Sequence, residues 1–143
     1  MKNQKKTINT YKIIIVDDNE KFRKALKFYL EEALKHEVIG EAKDAQNFFD
    51  LDTLIFDADI ILMDLFMPEV TGFELVKKIK AYLFEPIKFI AVTMFSEKAY
   101  LKELIEVGFN GCVFKNNIYE EISIAMDKVY KDEYYFPEDM KLI

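Results

Sequence analysis

Five polar residues of this chain each follow a short apolar segment, and their types could together handle a phosphoryl group. In chain order they are Asp17, Asp18, Asp64, Thr93 and Lys115. Carboxylates are hard oxygen ligands of the kind that Mg²⁺ prefers, and a carboxylate can also attack phosphorus as a nucleophile. An ammonium and a hydroxyl are suitable partners for phosphoryl oxygens. If the fold brings the five together, they predict a site that binds a divalent cation and a phosphoryl group.

The apolar segments that must position these residues are typical of buried β-strands. Residues 12–16, 59–63, 88–92 and 111–114 are short and contain many β-branched side chains, and a weaker strand is expected at 37–40. Helical periodicity separates them, so a β-α unit repeats about five times, which predicts a parallel sheet with helices on both faces. All strand C-termini of such a sheet share one edge, so the five polar residues should meet in one crevice.

Polar residues and glycines mark the expected helix ends. The expected boundaries are an N-cap at Asp18 or Asn19, a start at Thr71–Gly72, a helix from Ser96 to Gly108, and an N-cap at Asn117 with Glu120 completing a capping box. A further helix is expected near residues 44–54. Residues 1–10 are expected to form a flexible N-terminal tail, 11–131 one domain, and 132–143 a C-terminal tail or the start of a linker.

Composition excludes several classes of protein. The chain has 143 residues, 51% of them hydrophobic and 32% charged, which is typical of one globular domain. A net charge of −6 argues against nucleic-acid binding by the domain itself. No apolar stretch reaches the length of a membrane span, and the polar N-terminus is no secretory signal. A single cysteine fits a reducing compartment, so a cytoplasmic location is expected.

Motifs along nearly the whole chain resemble the receiver domain of two-component response regulators. The matching strings, which span roughly residues 12–131, are IIIVDDNEKFRKAL, DIILMDLFMPEVTGFEL, AVT and GFNGCVFK. The resemblance implies an α/β, doubly wound, flavodoxin-like fold with a five-stranded parallel sheet in the order 2-1-3-4-5. The strings VIGEAKDAQNFF and VYKDEYYFPEDM are most similar to receivers of the LuxR/NarL type.

The resemblance also implies a role for each polar residue. Asp64 is the expected phosphoacceptor, with Thr93 as the switch hydroxyl and Lys115 as the contact to the phosphoryl group. Mg²⁺ is the implied cofactor, and its expected ligands are Asp17, Asp18, Asp64 and the backbone carbonyl of Phe66. The implied phosphodonor is a sensor histidine kinase. Residues 96–131 are the expected face for a homodimer or an output partner, and an output domain in the parent protein would make it a transcription regulator.

Several positions near the site depart from the commonest receiver pattern. Cys112 stands where receivers usually carry Tyr or Phe, and Asn116 stands where a cis-proline is frequent. Phe66, Met94 and Phe95 are bulky apolar residues at positions that tune the site. If these three side chains crowd the crevice, they should hinder an attacking water and make the phosphorylated state decay slowly.

Three alternatives to a receiver make different demands on the sequence. A haloacid dehalogenase-type phosphohydrolase needs a second Asp two residues after the nucleophile, where this chain has Phe66. A Rossmann nucleotide-binding module needs a glycine-rich turn after the first strand, which DDNEKF does not offer. A receiver fold that serves only as a phosphorylation-independent docking module remains open. His36, the single histidine, is expected to be solvated or capping, and Cys112 is expected to be a small buried hydrophobe.

Overall fold

Five parallel strands form one sheet in the order β2-β1-β3-β4-β5. A computed structural model of the protein describes residues 9–83, 86–94, 101–138 and 140. The strands are β1 (Lys12–Val16), β2 (Glu37–Ala42), β3 (Ile60–Met63), β4 (Lys88–Thr93) and β5 (Gly111–Phe114). The α/β fold and the strand order expected from the resemblance are confirmed.

Helices follow each strand and cover both faces of the sheet. The α-helices are α1 (Glu20–Phe28), α2 (Ala45–Phe49), α3 (Gly72–Tyr82), α4 (Leu101–Val107) and α5 (Ile118–Tyr130). A π-helical turn, Tyr29–Ala33, extends α1, and 3-10 turns span Asp52–Asp57 and Lys115–Asn117. The helix expected near 44–54 is therefore divided into α2 and a 3-10 turn.

Side chains that alternate along the strands fill two apolar layers. One layer packs β1, β3 and β4 residues such as Ile15, Leu62 and Ile90 against α1 and α5. The other packs residues such as Val16 and Met63 against α2, α3 and α4. Because both faces are covered, the central strands β1 and β3 are almost entirely inaccessible to solvent, which explains their continuous apolar sequences.

All three described helix starts lie at the expected positions, but the capping box expected at one of them does not form. The side chain of Asn19 accepts the Phe22 N–H at 3.0 Å, and Thr71 and Glu74 form a capping box at the start of α3. Asn117 makes no side-chain cap hydrogen bond, so the capping box with Glu120 was a wrong prediction. The 3-10 turn before α5 leaves Asn117 at φ −116° and ψ 17°, whereas a capping side chain reaches back from extended backbone.

Gly108 ends α4 as expected, with φ at +122°, which is a left-handed conformation that favours glycine. The helix start expected at Ser96 lies outside the described residues, as do residues 1–8 of the expected N-terminal tail. His36 differs from the expectation of a solvated or capping side chain. It is half-buried, accepts the Tyr11 N–H at Nδ1 over 3.1 Å and stacks on the Tyr11 ring.

The described residues after α5 lie along the outer edge of β5. Tyr135 forms a parallel bridge with Gly111, and its carbonyl accepts the Cys112 N–H at 2.8 Å. Its hydroxyl donates to Glu121 on α5 at 2.9 Å, and Met140 is buried in the core. This segment belongs to the predicted C-terminal tail, 132–143. Within the described part of the chain, no helix has the length and hydropathy of a membrane span.

Candidate functional site

Three polar residues are buried among those that the structure describes, and all three lie at the carboxyl end of the sheet. They are Asp17 after β1, Asp64 after β3 and Thr93 at the end of β4, with exposed fractions of 1%, 7% and 1%. Burial of a polar group without full compensation is costly, so such groups cluster where function requires them. The strand order places β1 and β3 side by side at the switch point, where crevices form in this class of sheet.

The acidic residues meet as the sequence predicts. One ligand atom from each of Asp17, Asp18 and Asp64 lies within 4.8 Å of the other two. Burial raises the pKa of the Asp17 carboxyl above its ordinary value, and the neighbouring Asp64 charge adds to this. The Lys115 ammonium and the Asn19 N–H act in the opposite direction. The cluster is therefore a concentration of negative charge with only partial compensation.

This cluster fits a divalent cation. Its donors are carboxylate oxygens, which are the hard ligands that Mg²⁺ and similar ions take. Asp17 Oδ2 is buried and accepts no hydrogen bond from the described residues, while its other oxygen accepts the Asn19 N–H at 2.8 Å. A buried carboxylate oxygen in this state has a free lone pair for a metal. Phe66 donates its N–H to Asp64 Oδ1 at 3.4 Å, and the role of its carbonyl stays a prediction.

Lys115 supplies the positive charge of the site from the 3-10 turn after β5. Its Nζ lies 2.8 Å from Asp17 Oδ2 and 3.4 Å from Asp64 Oδ2, and its side chain is 11% exposed. The 2.8 Å contact is an ion pair outside good hydrogen-bond geometry. Thr93 stands on the neighbouring strand β4, paired in register with Phe114, the residue before Lys115. The structure thus brings the five predicted residues to one edge of the sheet.

Gly72 supports the site, although the sequence marks it only as the expected start of a helix. A Cβ at Gly72 would lie 2.3 Å from the Asp64 carbonyl oxygen, and the Gly72 N–H donates to Leu65 O at 2.8 Å. The start of α3 therefore packs directly on the backbone that carries Asp64, and no other residue fits there. In the sequence, the Thr71–Gly72 pair indicates only the start of a helix and does not reveal the contact between Gly72 and the Asp64 carbonyl.

The first turn of α1 also contributes residues that were not predicted. Arg23 donates from Nη1 to the Asp17 carbonyl at 2.6 Å and pairs with Glu41 at 3.0 Å. The Phe22 ring lies beside Lys115, with Nζ 4.5 Å from the ring centroid. The sequence pattern of these residues is typical of an amphipathic helix, and it does not indicate which of them face the strand ends.

Two of the three bulky residues predicted to crowd the crevice are partly open to solvent. Phe66 is 42% exposed and packs edge-on against Phe73 on α3, with ring centroids 6.1 Å apart. Met94, directly after Thr93, is 61% exposed. Phe95 lies outside the described residues. The slow decay of a phosphorylated state stays a prediction.

Cys112 is fully buried in β5, as expected of a small apolar residue. Burial raises the pKa of its thiol to about 12, and the charge of Glu121 contributes, so the thiol stays protonated at neutral pH. The Lys115–Asn116 peptide bond is trans, as are the other described bonds. The site therefore reaches its geometry without the cis-proline that is frequent after this lysine in receivers.

A doubly wound parallel sheet with an acidic crevice at its switch point defines a flavodoxin-like α/β domain. Within that class the chain belongs to the family of response regulator receiver domains, whose family model matches residues 13–127.

The chain is similar to two bacterial regulatory proteins. The chain is 34% identical to the transcriptional regulatory protein YdfI of Bacillus subtilis over 90% of its own length and 59% of that protein. It is 33% identical to the oxygen regulatory protein NreC of Staphylococcus aureus, over 92% of the chain and 59% of that protein. The chain thus spans about three-fifths of the length of these relatives.

Solved structures of similar fold include two-component regulators. A LuxR-family response regulator from an Aurantimonas species superposes with a TM-score of 0.80 at 25% identity, covering 92% of this chain and 93% of that one. The isolated receiver domain of RcsB from Salmonella enterica, in the presence of a phosphomimetic, gives a TM-score of 0.75 at 26% identity, covering 91% of this chain and 95% of that one. The chain is therefore a two-component receiver domain related to the LuxR/NarL-type regulators.

Proposed function

We propose that this receiver accepts a phosphoryl group on Asp64 from a sensor histidine kinase in a Mg²⁺-dependent reaction. The observation that carries the proposal is the Asp17, Asp18 and Asp64 cluster with the Lys115 ammonium 3.4 Å from Asp64 Oδ2. Asp17, Asp18, Asp64 and the Phe66 carbonyl would hold the cation. When bound, the cation supplies positive charge that offsets the negative charge of the phosphoryl oxygens.

Three residues of the chain have separate roles in the transfer of the phosphoryl group. An Asp64 carboxylate oxygen attacks phosphorus, and the bond to the donor nitrogen breaks with its electron pair leaving on the imidazole. Lys115 can donate to a phosphoryl oxygen, because its ammonium already lies beside Asp64. Thr93 offers a hydroxyl from the neighbouring strand for another phosphoryl oxygen once the aspartyl-phosphate has formed.

The phosphoryl group should act as a signal and not as a step in hydrolysis of a substrate. Residue 66, two after the proposed phosphoacceptor, is Phe, so it cannot serve as a general acid. Phosphorylation would then change how residues 96–131 bind a second copy of the chain or an output partner. If an output domain follows in the parent protein, by analogy with the relatives, the protein would regulate transcription, and we expect it to act in the cytoplasm.

Intact-mass measurement tests the phosphoacceptor. The wild-type chain incubated with Mg²⁺ and acetyl phosphate should gain the mass of one phosphoryl group, and Asp64→Ala should gain none. Asp57→Ala is the matched control, because Asp57 is an exposed aspartate on the 3-10 turn before β3 and should leave the gain unchanged. Removal of the cation with EDTA should also abolish the gain.

A wild-type chain that fails with acetyl phosphate is next tested with phosphorylated sensor kinases. Failure with those donors as well would favour the hypothesis that the domain is a phosphorylation-independent docking module. A mass gain that persists in Asp64→Ala would instead place the phosphoryl group on another residue.

A further inference from the structure

The Lys115 ammonium has an aromatic neighbour in addition to two carboxylates. Its Nζ lies over the face of the Phe22 ring, 4.5 Å from the centroid, while Asp17 Oδ2 and Asp64 Oδ2 lie at 2.8 and 3.4 Å. The lysine side chain is 11% exposed, so little water reaches the ammonium to compete with these contacts. The negative face of an aromatic ring attracts a cation, and the attraction is strongest where water is excluded.

The position of Phe22 relative to the site is fixed by several hydrogen bonds. Its N–H donates to the Asn19 cap at 3.0 Å, which sets the start of α1. The next residue, Arg23, donates to the Asp17 carbonyl at 2.6 Å and pairs with Glu41 on β2. The Phe22 ring itself packs against the core layer of α1 and α5. The first turn of α1 therefore holds the ring in a constant place beside the strand ends.

Binding of a divalent cation weakens the attraction of the Lys115 ammonium to the carboxylates but not its attraction to the Phe22 ring. A divalent cation at Asp17 and Asp64 neutralises the charges that attract the ammonium, and it repels the ammonium directly. A lysine side chain has a flexible four-carbon stem, and it loses much rotamer entropy when it is held in one place. The attraction of the neutral ring does not compete with the metal for ligand atoms, so it persists.

We propose that Phe22 is a positioning residue that keeps the Lys115 ammonium beside Asp64 when a divalent cation and the phosphodonor are bound. The proposal rests on the function proposed above, and it adds a residue to which the resemblance assigned no role. Phe22 touches neither the phosphoryl group nor the cation. It acts through Lys115, so its effect should disappear when Lys115 is absent.

A magnetic resonance measurement on the metal-free chain tests the contact without any reaction. The ε-methylene protons of Lys115 should resonate upfield of those of exposed lysines, because they lie over the Phe22 ring. Phe22→Leu should remove this shift, and Phe22→Tyr, which keeps the ring face, should retain it. A Lys115 signal at the position of the exposed lysines in wild type overturns the proposal.

Phosphorylation rates with acetyl phosphate at saturating Mg²⁺ test the consequence. Phe22→Leu should slow the reaction by roughly three- to tenfold, the range expected when a partly desolvated cation–π contact is lost. Phe22→Tyr should stay within about twofold of wild type on the same reasoning. Phe28→Leu is the matched control, because Phe28 lies on the same helix, is 68% exposed and should leave the rate unchanged. The Mg²⁺ affinity measured by calorimetry should be the same in all four chains.

A double-mutant cycle separates positioning from a general effect on folding. In a Lys115→Met background, Phe22→Leu should cause no further slowing, since the two residues act as one unit. Equal slowing in both backgrounds, or a weakened Mg²⁺ affinity in Phe22→Leu, overturns the proposal. A wild-type chain that no donor phosphorylates refutes the proposed function instead, and the resonance shift then still decides whether Phe22 holds Lys115.

Discussion

The two ends of the sheet each hold a group of polar side chains, but the two groups are satisfied to different degrees. At the amino end, Tyr11 donates its N–H to His36 Nδ1 and its hydroxyl to Asp127 at 2.5 Å. The Tyr11 ring also stacks on His36 and lies against Tyr130, each with centroids 4.8 Å apart. At the carboxyl end, Asp17 and Asp64 share one ammonium, and among the described residues Asp17 Oδ2 has this ion pair but no well-formed hydrogen bond.

The difference separates a structural group from a functional one. Satisfied buried polar groups contribute to stability and to a unique packing. Crowded carboxylates with an unsatisfied oxygen destabilise the fold until a ligand supplies the missing partner. Substitutions at the amino end should therefore lower stability, whereas neutralising a carboxylate at the other end should raise stability and abolish function.

Asp17→Asn gives the largest expected effect and tests the functional end. Loss of a proposed metal ligand should reduce Mg²⁺-dependent phosphorylation by more than the roughly 10–100-fold typical of outer-shell changes. The free energy of unfolding in the absence of metal should rise by about 1 kcal/mol, because like-charge repulsion and burial of a charge are relieved. Intact mass and chemical denaturation measure the two quantities. If Asp17→Asn instead lowers the free energy of unfolding, the Asp17 carboxylate stabilises the fold and the comparison between the two ends fails.

Tyr11→Phe tests the structural end. It removes the hydrogen bond to the Asp127 carboxylate while keeping the ring, so the free energy of unfolding should fall by about 1.5 kcal/mol. Tyr82→Phe is the matched control, because Tyr82 is 76% exposed and should change nothing. Phosphorylation by acetyl phosphate should be unaffected in both. An unchanged denaturation midpoint in Tyr11→Phe would show that water replaces this bond at no cost.

The pH dependence of stability tests the same end through His36. Burial lowers the pKa of His36, with the Asp127 charge opposing, so the unfolded chain takes up the proton first. The stabilising contribution is present above the unfolded-state pKa of about 6.5 and is lost as the pH falls through the lower folded-state pKa. The slope from this group is at most about 1.4 kcal/mol per pH unit.

Denaturation of wild type and His36→Asn between pH 7.5 and 5, a range around the histidine pKa of about 6.5, measures this slope. Because His36 is the single histidine, the difference between the two chains isolates it. A wild-type chain that becomes relatively more stable than the variant as the pH falls would contradict the prediction.

The smallest expected effect concerns the lifetime of the phosphorylated state. Replacing Met94 by Ala and Phe95 by Glu should accelerate decay by about threefold, if these side chains hinder the attacking water. Loss of phosphorylated mass over time measures the rate, and Ile124→Ala, a substitution at a 50% exposed position on α5, is the control. Unchanged decay would mean that the two side chains complete a hydrophobic rim and do not shield the phosphoryl group.

Much of the fold was predictable because local patterns and the global fold agree. The strands at 12–16, 88–93 and 111–114 follow the apolar segments closely, and the Asn19 and Thr71 caps follow their side-chain chemistry. Asn117 was misread because its backbone conformation depends on the 3-10 turn that leads from β5 into α5. His36 was misread because its partner, the Tyr11 N–H, is 25 residues away.

The sequence by itself determined the strand order, through a resemblance covering most of the chain, and the identity of five polar residues at strand ends. Alternation of apolar segments and helices is a local property, so it can be read from neighbouring residues. Tertiary structure alone decided which further residues reach the site. Gly72 packs against the Asp64 carbonyl where α3 follows β3, and the Lys115 ammonium lies over the Phe22 ring although α1 and β5 are distant in the chain. Such contacts depend on how helices pack on the sheet, and no spacing in the sequence encodes them.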